Sequence, residues 1–414
     1  MLANKICPDV LKSAAGKVYI IAVTGTNGKT TTARMLEKAL QNAGKNVLAN
    51  RSGANLLSGI TAEFIENLNM WGKPRCTWAV IECDEAACRK VLPMIRPRLL
   101  IVTNLFRDQL DRYGDVSSPR DSIAAGLAAS PDTLMCLNAD SPMALSIGEK
   151  CLNKAVFFGF DSGPKLAIES GEEASCPICG KKLMYSFVSY ANLGKFSCPN
   201  CGFKKPDTHA SVSEILDNSA LFNVQGRKYV VKSALPGLYN VYNGLGVVAA
   251  MDALCFDDEF ALSAIESFEC GFGRMEEFAL GKCGAKMILI KNAAAADQTL
   301  KYIKSEKGEK QIAFVINSRI ADGQDISWLN DADFGILRRM RGLRQVSVCG
   351  ERSDDMEKRL EAEGISCTKY GDYDTLIKML SQQENDIYIL PTYTAMLEMR
   401  KKLVEALGGK KFWE

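Results

Sequence analysis

Val18-Tyr19-Ile20-Ile21-Ala22-Val23-Thr24-Gly25-Thr26-Asn27-Gly28-Lys29-Thr30 runs on into Thr31-Thr32-Ala33-Arg34-Met35-Leu36-Glu37-Lys38-Ala39-Leu40. The first five residues are a β-rich apolar run, and the residues from Thr31 to Leu40 have the spacing of an amphipathic helix. Strand, glycine-bearing turn and helix, in that order, are the context a phosphate-binding loop requires. Gly25 and Gly28 let backbone N–H groups crowd a phosphate, and the helix N-terminus adds partial positive charge. In such a loop Lys29 reaches the phosphates, serving nothing in the core, and the Thr30 hydroxyl holds Mg²⁺. The general pattern has glycine where this chain has Val23, so the loop is a variant.

A chain of 414 residues is long enough for two or more cores. Its 51 basic and 49 acidic residues leave a net charge of +2, which points to neither nucleic acid nor an anionic membrane as a partner. No apolar run is long enough to span a bilayer, and the first twenty residues lack a signal-peptide layout. A cytosolic location is expected, where the fifteen cysteines would be reduced, buried or metal-bound.

Asn46-Val47-Leu48 fits the next strand, and Arg51 to Gly59 reads equally well as a cleft-lining or an ordinary surface loop. Three further apolar strands each end in a polar cluster. Thr77 to Ile81 leads into Glu82-Cys83-Asp84-Glu85. Leu99 to Thr103 leads into Asn104 and Arg107-Asp108-Gln109-Leu110-Asp111. Thr133 to Leu137 leads into Asn138-Ala139-Asp140. Each cluster alone fits a capped helix start. Three in succession after a phosphate loop fit a site at the carboxyl edge of a parallel α/β sheet, with carboxylates available to Mg²⁺.

Cys176-Pro177-Ile178-Cys179 and Cys198-Pro199-Asn200-Cys201, each followed by glycine, have zinc-ribbon spacing. Four thiolates close the tetrahedron, so the site is structural. Leu235 to Asn243 leads into a small-residue helix from Gly244 to Leu254, and Gly271-Phe272-Gly273-Arg274-Met275-Glu276 reads as a hinge. Beyond it Met287 to Ile290, Ile312 to Ile316, Val346 to Val348 and Ile387 to Leu390 restart the α/β rhythm. Two domains are expected, 1–275 with a ribbon inserted at about 170–207, and 276–414. Asp322-Gly323-Gln324-Asp325-Ile326-Ser327-Trp328 reads as a capped polar turn. His209, the one histidine, reads as an exposed loop residue, and the final helix from Glu398 to Lys411 as a solvated face.

Gly25 to Thr32, Glu82 with Asp84-Glu85, Thr103-Asn104 with Asp108 to Asp111, Asn138 to Asp140, Asn240 to Asn243 and Gly273-Arg274 occur in the order of the motifs of the Mur ligase family, and residues 18–276 resemble it. Within that family the chain resembles the synthetase subunits of lipid II isoglutaminyl synthase. The UDP-sugar-binding domain of ordinary members is missing, a four-cysteine ribbon is inserted, and Gln109 stands where amino-acid-adding members carry a metal-binding histidine. Asp322 to Trp328 and Leu390 to Leu397 look like signatures of those subunits. Lys291-Asn292-Ala293-Ala294-Ala295-Ala296-Asp297-Gln298 departs from the usual Lys-Asn-Pro-Ala-Gly followed by Asn-Gln. No lysine lies between Gln109 and Lys150 to match the carbamylated lysine of many members.

The resemblance implies ATP-dependent amidation of the α-carboxylate of D-glutamate in lipid II, at the cytoplasmic membrane face. Ammonia would come from a GatD-type glutamine amidotransferase in a heterodimer. It implies Gly25, Thr26, Asn27, Gly28, Lys29, Thr30 and Thr31 around the ATP phosphates, Thr30 and Glu82 on Mg²⁺, Asn243 at the base and Arg274 at phosphate or ribose. Lys29 and Glu82 serve the chemistry, and Asp325, preferred over Asp322, activates or guides ammonia or orients the partner's catalytic histidine. Cys176, Cys179, Cys198 and Cys201 hold Zn²⁺. The alternatives are a ligase that joins an amino acid, as folylpolyglutamate synthetase does, and a non-catalytic nucleotide-binding scaffold.

Overall fold

The computed structural model describes residues 7, 9–50, 54–106, 119–162, 174–216, 219–232, 237–268, 274–282 and 284–407, with backbone alone at Tyr190 and Arg274. The chain forms two compact units, Met1–Phe268 and Glu269–Glu414.

In the first unit the longer helices are α1 (Val10–Ala15), α2 (Lys29–Asn42), α3 (Leu57–Glu66), α4 (Cys88–Ile95), α5 (Pro119–Ala128), α6 (Leu238–Ala253) and α7 (Asp258–Glu266). The strands are β1 (Tyr19–Thr24), β2 (Val47–Ala49), β3 (Trp78–Glu82), β4 (Leu99–Val102), β5 (Leu134–Asn138), β6 (Ala155–Phe160), β7 (Met184–Tyr190), β8 (Leu193–Ser197), β9 (Ala210–Ile215), β10 (Ser219–Val224) and β11 (Arg227–Lys232). Nine of these strands form one sheet in the order β11-β10-β9-β6-β5-β4-β1-β3-β2. It is parallel from β2 through to β9, and only the β9–β10 and β10–β11 pairs are antiparallel, so β10 alone runs against the rest. β1 is central and, after Tyr19, buried on both faces, which explains its unbroken apolar run. Ile20 and Ala22 pack with residues of α1, α3, α4 and α5 in one core cluster. Crossover helices between parallel strands put the strand ends and the loops that follow them at one edge, where β1, β3, β4 and β5 deliver the phosphate loop, Glu82, Thr103 and Asn138.

Between β6 and β9 the chain leaves the sheet to build the antiparallel hairpin β7–β8, with a Cys-x-x-Cys knuckle on either side. The knuckles have matching geometry. Gly180 N–H donates to Cys176 O at 2.9 Å and Gly202 N–H to Cys198 O at 3.1 Å. Both glycines take positive φ, 73° and 77°, at the point where each knuckle reverses.

The second unit is a six-stranded sheet of β12 (Arg274–Phe278), β13 (Ala285–Ile288), β14 (Lys310–Val315), β15 (Leu343–Cys349), β16 (Thr368–Lys369) and β17 (Asp386–Pro391), in the order β12-β13-β17-β14-β15-β16. All pairs but β12–β13 are parallel. Its longer helices are α8 (Ala293–Ser305), α9 (Ser353–Ala362), α10 (Tyr373–Ser381) and α11 (Tyr393–Leu407). Alternation along β14 sends Ile312 and Phe314 into one core cluster and Ala313 and Val315 into the other. No helix among the described residues is long and apolar enough to cross a membrane.

Several local expectations change. α6 begins at Leu238, so Asn240 to Asn243 lie on its first turns and not on a loop before it. α3 takes up Leu57 to Gly59 of the expected loop. Arg274 to Glu276, expected as a hinge, lie on β12, where a bulge puts Met275 at φ 74°. His209 is not an exposed loop residue. It is partly buried, its Nε2 lies 2.6 Å from Asp252 and its Nδ1 2.7 Å from Gln225. The last described helix is not solvated all round, because Arg400 is buried and paired with Glu276 at 2.9 Å.

Candidate nucleotide and metal sites

Two glycines set the shape of the phosphate loop. Gly25 has φ 131°, and a Cβ there would lie 2.2 Å from Thr103 Oγ1 and 2.7 Å from Asn104 O. Gly28, the residue before α2, has φ 86°, and its Cβ would lie 2.1 Å from Asn243 Oδ1. Neither position tolerates a side chain without moving the loop. The end of β4 pins the loop from below. Thr103 Oγ1 donates to Asn27 O at 2.6 Å, Asn104 Oδ1 accepts the Asn27 N–H at 3.0 Å, and Asn104 O accepts the Thr26 N–H at 2.9 Å.

Lys29 and Thr30 open α2. The Lys29 ammonium donates to Gly25 O at 2.6 Å and to Glu85 Oε1 at 2.9 Å. Both partners of this ion pair are deeply buried, with side chains 10% and 2% exposed. Lys29 therefore also serves the core, contrary to the sequence expectation. Burial alone would lower its pKa, but the charges of Glu85 and Glu82 outweigh it and raise the value. Thr30 Oγ1 donates to Glu82 Oε2 at 2.6 Å, which places a hydroxyl and a carboxylate side by side beside the loop. That pair of oxygens suits a hard divalent cation. Asp84 caps the turn before α4 through the N–H groups of Ala86 and Ala87 at 3.0 and 3.3 Å. Burial, with the Glu85 charge next, raises its pKa.

Two residues of this site were missed. Sequence reasoning places Glu85 in a polar cluster with no link to Lys29, and that pairing spans 56 residues of sequence. Asn50, just after β2, exchanges hydrogen bonds with the backbone of Glu82, both at 2.8 Å, and so fixes the carboxylate's entry angle. An asparagine straight after a short apolar strand was the available signal.

Asn240 and Asn243 meet each other on α6, with Asn243 Nδ2 donating to Asn240 Oδ1 at 3.3 Å. Asn138 Nδ2 donates to Thr103 O at 2.8 Å, and so supports the strand end that pins the loop. Asp140 lies behind this layer, on Phe160 N–H at 2.8 Å and Lys205 at 2.5 Å. The stretch from Arg107 to Gly114, with Asp108, Gln109 and Asp111, lies outside the described residues, as do Arg51 to Gly53 and Gly271 to Gly273. Arg274 is placed on β12 by its backbone.

The four ribbon cysteines converge. Their sulfurs all lie within 4.8 Å of one another, with Cys176–Cys201 at 3.6 Å and Cys179–Cys198 at 3.5 Å. A tetrahedral zinc with bonds of about 2.3 Å sets sulfurs about 3.8 Å apart, so the cluster fits that ion. The Lys181 backbone N–H in particular brings the Cys179 thiol down to about 6, while burial raises that of Cys176, so among these thiols the lowered value belongs to Cys179.

In the second unit Asp322 and Asp325 stand on the loop after β14, at the carboxyl edge. Asp322 accepts from the N–H and hydroxyl of Thr394, both at 2.6 Å, and so ties the loop to the start of α11. Asp325 is exposed and bonds only its near neighbour among the described contacts, taking the Ser327 N–H at 2.7 Å and hydroxyl at 2.9 Å. Those two bonds lower its pKa. Arg319 braces the loop against Glu351 at 2.7 Å and Glu398 at 2.5 Å.

The departing segment from Lys291 to Gln298 is mostly helix. Asn292 Oδ1 caps α8 on Ala295 N–H at 2.9 Å, and Ala293 to Ala296 form its first turn. Burial pushes the Asp297 carboxyl up to about 6, although it accepts the Asp333 N–H at 2.8 Å. A carboxyl raised above its unfolded value contributes stability that is lost as pH rises through the folded value. The loss falls between about pH 4 and pH 6. Asp297→Asn, which keeps the accepting oxygen, should therefore stabilise the protein at pH 7.5 by on the order of 1 kcal/mol and by nothing near pH 4. Denaturant melts at the two pH values measure this, and an equal effect at both would show that ionisation is not its origin.

Comparison with known proteins adds six findings. Residues 23–251 match the Mur ligase middle domain and residues 289–396 the MurT ligase C-terminal domain. The chain is 35% identical over 405 residues to the lipid II isoglutaminyl synthase (glutamine-hydrolyzing) subunit MurT of Streptococcus pneumoniae, covering 95% of this chain and 89% of that one. It is 30% identical over 415 residues to the subunit of the same name from Staphylococcus aureus, covering 99% and 92%. Among solved structures, a pseudomurein peptide ligase type C from Methanothermus fervidus aligns with a TM-score of 0.71 at 21% identity, over 94% of this chain and 79% of that one. MurF from Acinetobacter baumannii aligns with a TM-score of 0.68 at 16% identity, over 96% and 79%.

Proposed function

The chain belongs to the Mur ligase family, and from that premise we propose that it is the synthetase subunit of a glutamine-hydrolysing lipid II isoglutaminyl synthase. It is an ATP-dependent carbon–nitrogen ligase. The observation that carries the proposal is the convergence of Lys29, Thr30 and Glu82 on one glycine-shaped loop, in a chain similar to MurT subunits along nearly its whole length.

A carboxylate is a poor acyl donor. In the proposed reaction an oxygen of the α-carboxylate of D-glutamate attacks the γ-phosphorus of ATP, ADP leaves, and an acyl phosphate forms. Ammonia then attacks the acyl carbon, phosphate departs with the C–O bond electrons, and loss of a proton leaves D-isoglutamine. The protein's part is positioning and charge neutralisation. Backbone N–H groups from Gly25 to Thr31 and the N-terminus of α2 cradle the phosphates, and Lys29 turns from Glu85 toward them. Thr30 and Glu82 would hold Mg²⁺, which neutralises charge on the transferring phosphoryl group. Asn243, packed on Gly28, is placed to shape the loop beside its expected contact with the base. Arg274 is assigned to phosphate or ribose. The four-cysteine cluster would hold Zn²⁺ as a closed structural site.

Ammonia would come from a GatD-type amidotransferase partner, and the work would take place on lipid II at the cytoplasmic membrane face. Asp325 is the residue assigned to that partner. It is exposed on a braced loop, and a carboxylate that holds an imidazole in one tautomer can act across an interface. Asp325→Asn should retain ATP binding and complex formation and lose about 10²-fold or more of glutamine-dependent amidation. Wild-type amidation by the variant would make Asp325 structural, and loss of the complex would move it to the interface. The whole reading is tested by co-purification with a glutaminase subunit and an assay of ATP- and glutamine-dependent amidation. Unmodified lipid II in the presence of an active glutaminase would sink it.

A further inference from the structure

We propose that the four-cysteine insertion is a strut for the phosphate loop, with Tyr242 as the positioning residue through which the insertion sets nucleotide affinity. The inference rests on the reading of residues 25–31 as the nucleotide site.

A continuous chain of contacts, buried up to its last link, joins the two. Ser189, on β7 of the insertion, places its Oγ 2.8 Å from Tyr242 Oη. Tyr242 Oη donates to Asp140 Oδ2 at 2.5 Å. Asp140 N–H donates to Asn138 Oδ1 at 3.0 Å, and Asn138 Nδ2 to Thr103 O at 2.8 Å. Thr103 Oγ1 then donates to Asn27 O of the loop at 2.6 Å. A second route is shorter. Tyr242 is followed on α6 by Asn243, whose Oδ1 occupies the space a Gly28 Cβ would need.

The insertion grips Asp140 at two further points. Lys205, just past the second knuckle, puts its ammonium 2.5 Å from Asp140 Oδ1. Gly194, the second residue of β8, donates its N–H to Asp140 O at 3.0 Å. Cys176, Cys179 and Cys198 pack in one cluster with Leu145 and Phe157 of the main sheet unit.

Attachment alone does not require such a network. Apolar contacts attach an insertion at lower desolvation cost than a buried ion pair, and Asp140 and the Lys205 side chain are 0% and 6% exposed. What a buried polar network with its charges paired adds is a single geometry. Here that geometry is handed to Thr103, which bonds Asn27, and to Asn243, which fills the space beside Gly28. The loop can cradle phosphate only in the backbone arrangement those two residues impose. An insertion that fixes Asp140 and Tyr242 therefore favours the binding-competent loop. By linkage, bound nucleotide must stabilise the insertion to the same extent.

The test is Tyr242→Phe in the full chain. It keeps the ring stacked on Phe160, with centroids 4.3 Å apart, and removes only Oη. Calorimetry with a non-hydrolysable ATP analogue should show Kd raised about 5- to 10-fold. With the partner present, KM for ATP should rise in step while kcat changes less than twofold. Removal of metal from the cysteines by a chelator should weaken nucleotide binding in the wild type and add little in Tyr242→Phe, the non-additive outcome that marks one shared path. Saturating nucleotide should slow metal release in the wild type and not in the variant. A Tyr242→Phe protein that binds nucleotide within twofold of wild type overturns the strut. So does a chelation effect of equal size in both proteins. Absence of nucleotide binding by the wild type would overturn the site reading itself. If the purified protein holds no metal, the nucleotide affinity of Tyr242→Phe still decides the strut.

Discussion

Lys29→Met is expected to cut ATP-dependent amidation by about 10³-fold and also to destabilise the protein by about 3 kcal/mol. The first effect follows from charge. A buried cation at the start of α2, beside a loop that only glycine can form, contributes most when phosphoryl charge is in transit. The second follows from the pair with Glu85, whose side chain is 2% exposed. Removal of Lys29 leaves a carboxylate in the core with no cation against it, and the group must take up a proton or remain unpaired. The two effects separate in a cycle. Glu85→Gln added to Lys29→Met should restore most of the stability and none of the activity. Thermal melts read the first, and turnover with the partner reads the second. Near-normal turnover in a folded Lys29→Met protein would remove Lys29 from the chemistry. Unchanged stability would mean that the ion pair does no net work in the fold.

The same pair shows how far the sequence could be read. The phosphate loop, the strands of the parallel sheet and the four cysteines were legible because each is local. The loop is one short stretch with its own glycines, and each knuckle closes on itself through Gly180 or Gly202. What stayed hidden is what non-local packing decides. Lys29 finds Glu85 across 56 residues, and Asn50 finds Glu82 across 32. β9, β10 and β11 went unseen because polar residues interrupt their pattern, as in Ser219–Val224 with its half-buried face. Their signal was the Gln225-Gly226 pair, both at positive φ, which closes a two-residue hairpin. The role of Asp322 was also out of reach. A carboxylate before glycine reads as a local turn, yet it caps a helix that begins 71 residues later, through Thr394, 72 residues on. Asp325, read as the functional carboxylate, is the one left facing solvent.

Cys198→Ser is expected to have the second large effect, and it falls on the fold first. Three thiolates and a hydroxyl bind zinc far more weakly than four thiolates, and a structural zinc contributes its binding free energy to folding. The hairpin β7–β8 has only a small core of its own, Leu183, Phe196 and Phe203 around the cysteines, and an isolated two-stranded hairpin is marginal in water. With Cys198 gone, Cys179 loses the sulfur that stands 3.5 Å away, and the second knuckle loses its anchor. Purified wild-type protein should carry one zinc per chain, and Cys198→Ser well below that. Its amide exchange should rise across residues 174–205 while the buried strands β1, β3 and β4 stay protected. A cluster that was only four reduced thiols would behave differently, since one buried Cys→Ser change would then perturb the hairpin by roughly 1–2 kcal/mol and leave metal content at zero in both proteins. Finding that outcome, or a disulfide between Cys176 and Cys201 in protein kept reduced, would remove the metal from this fold.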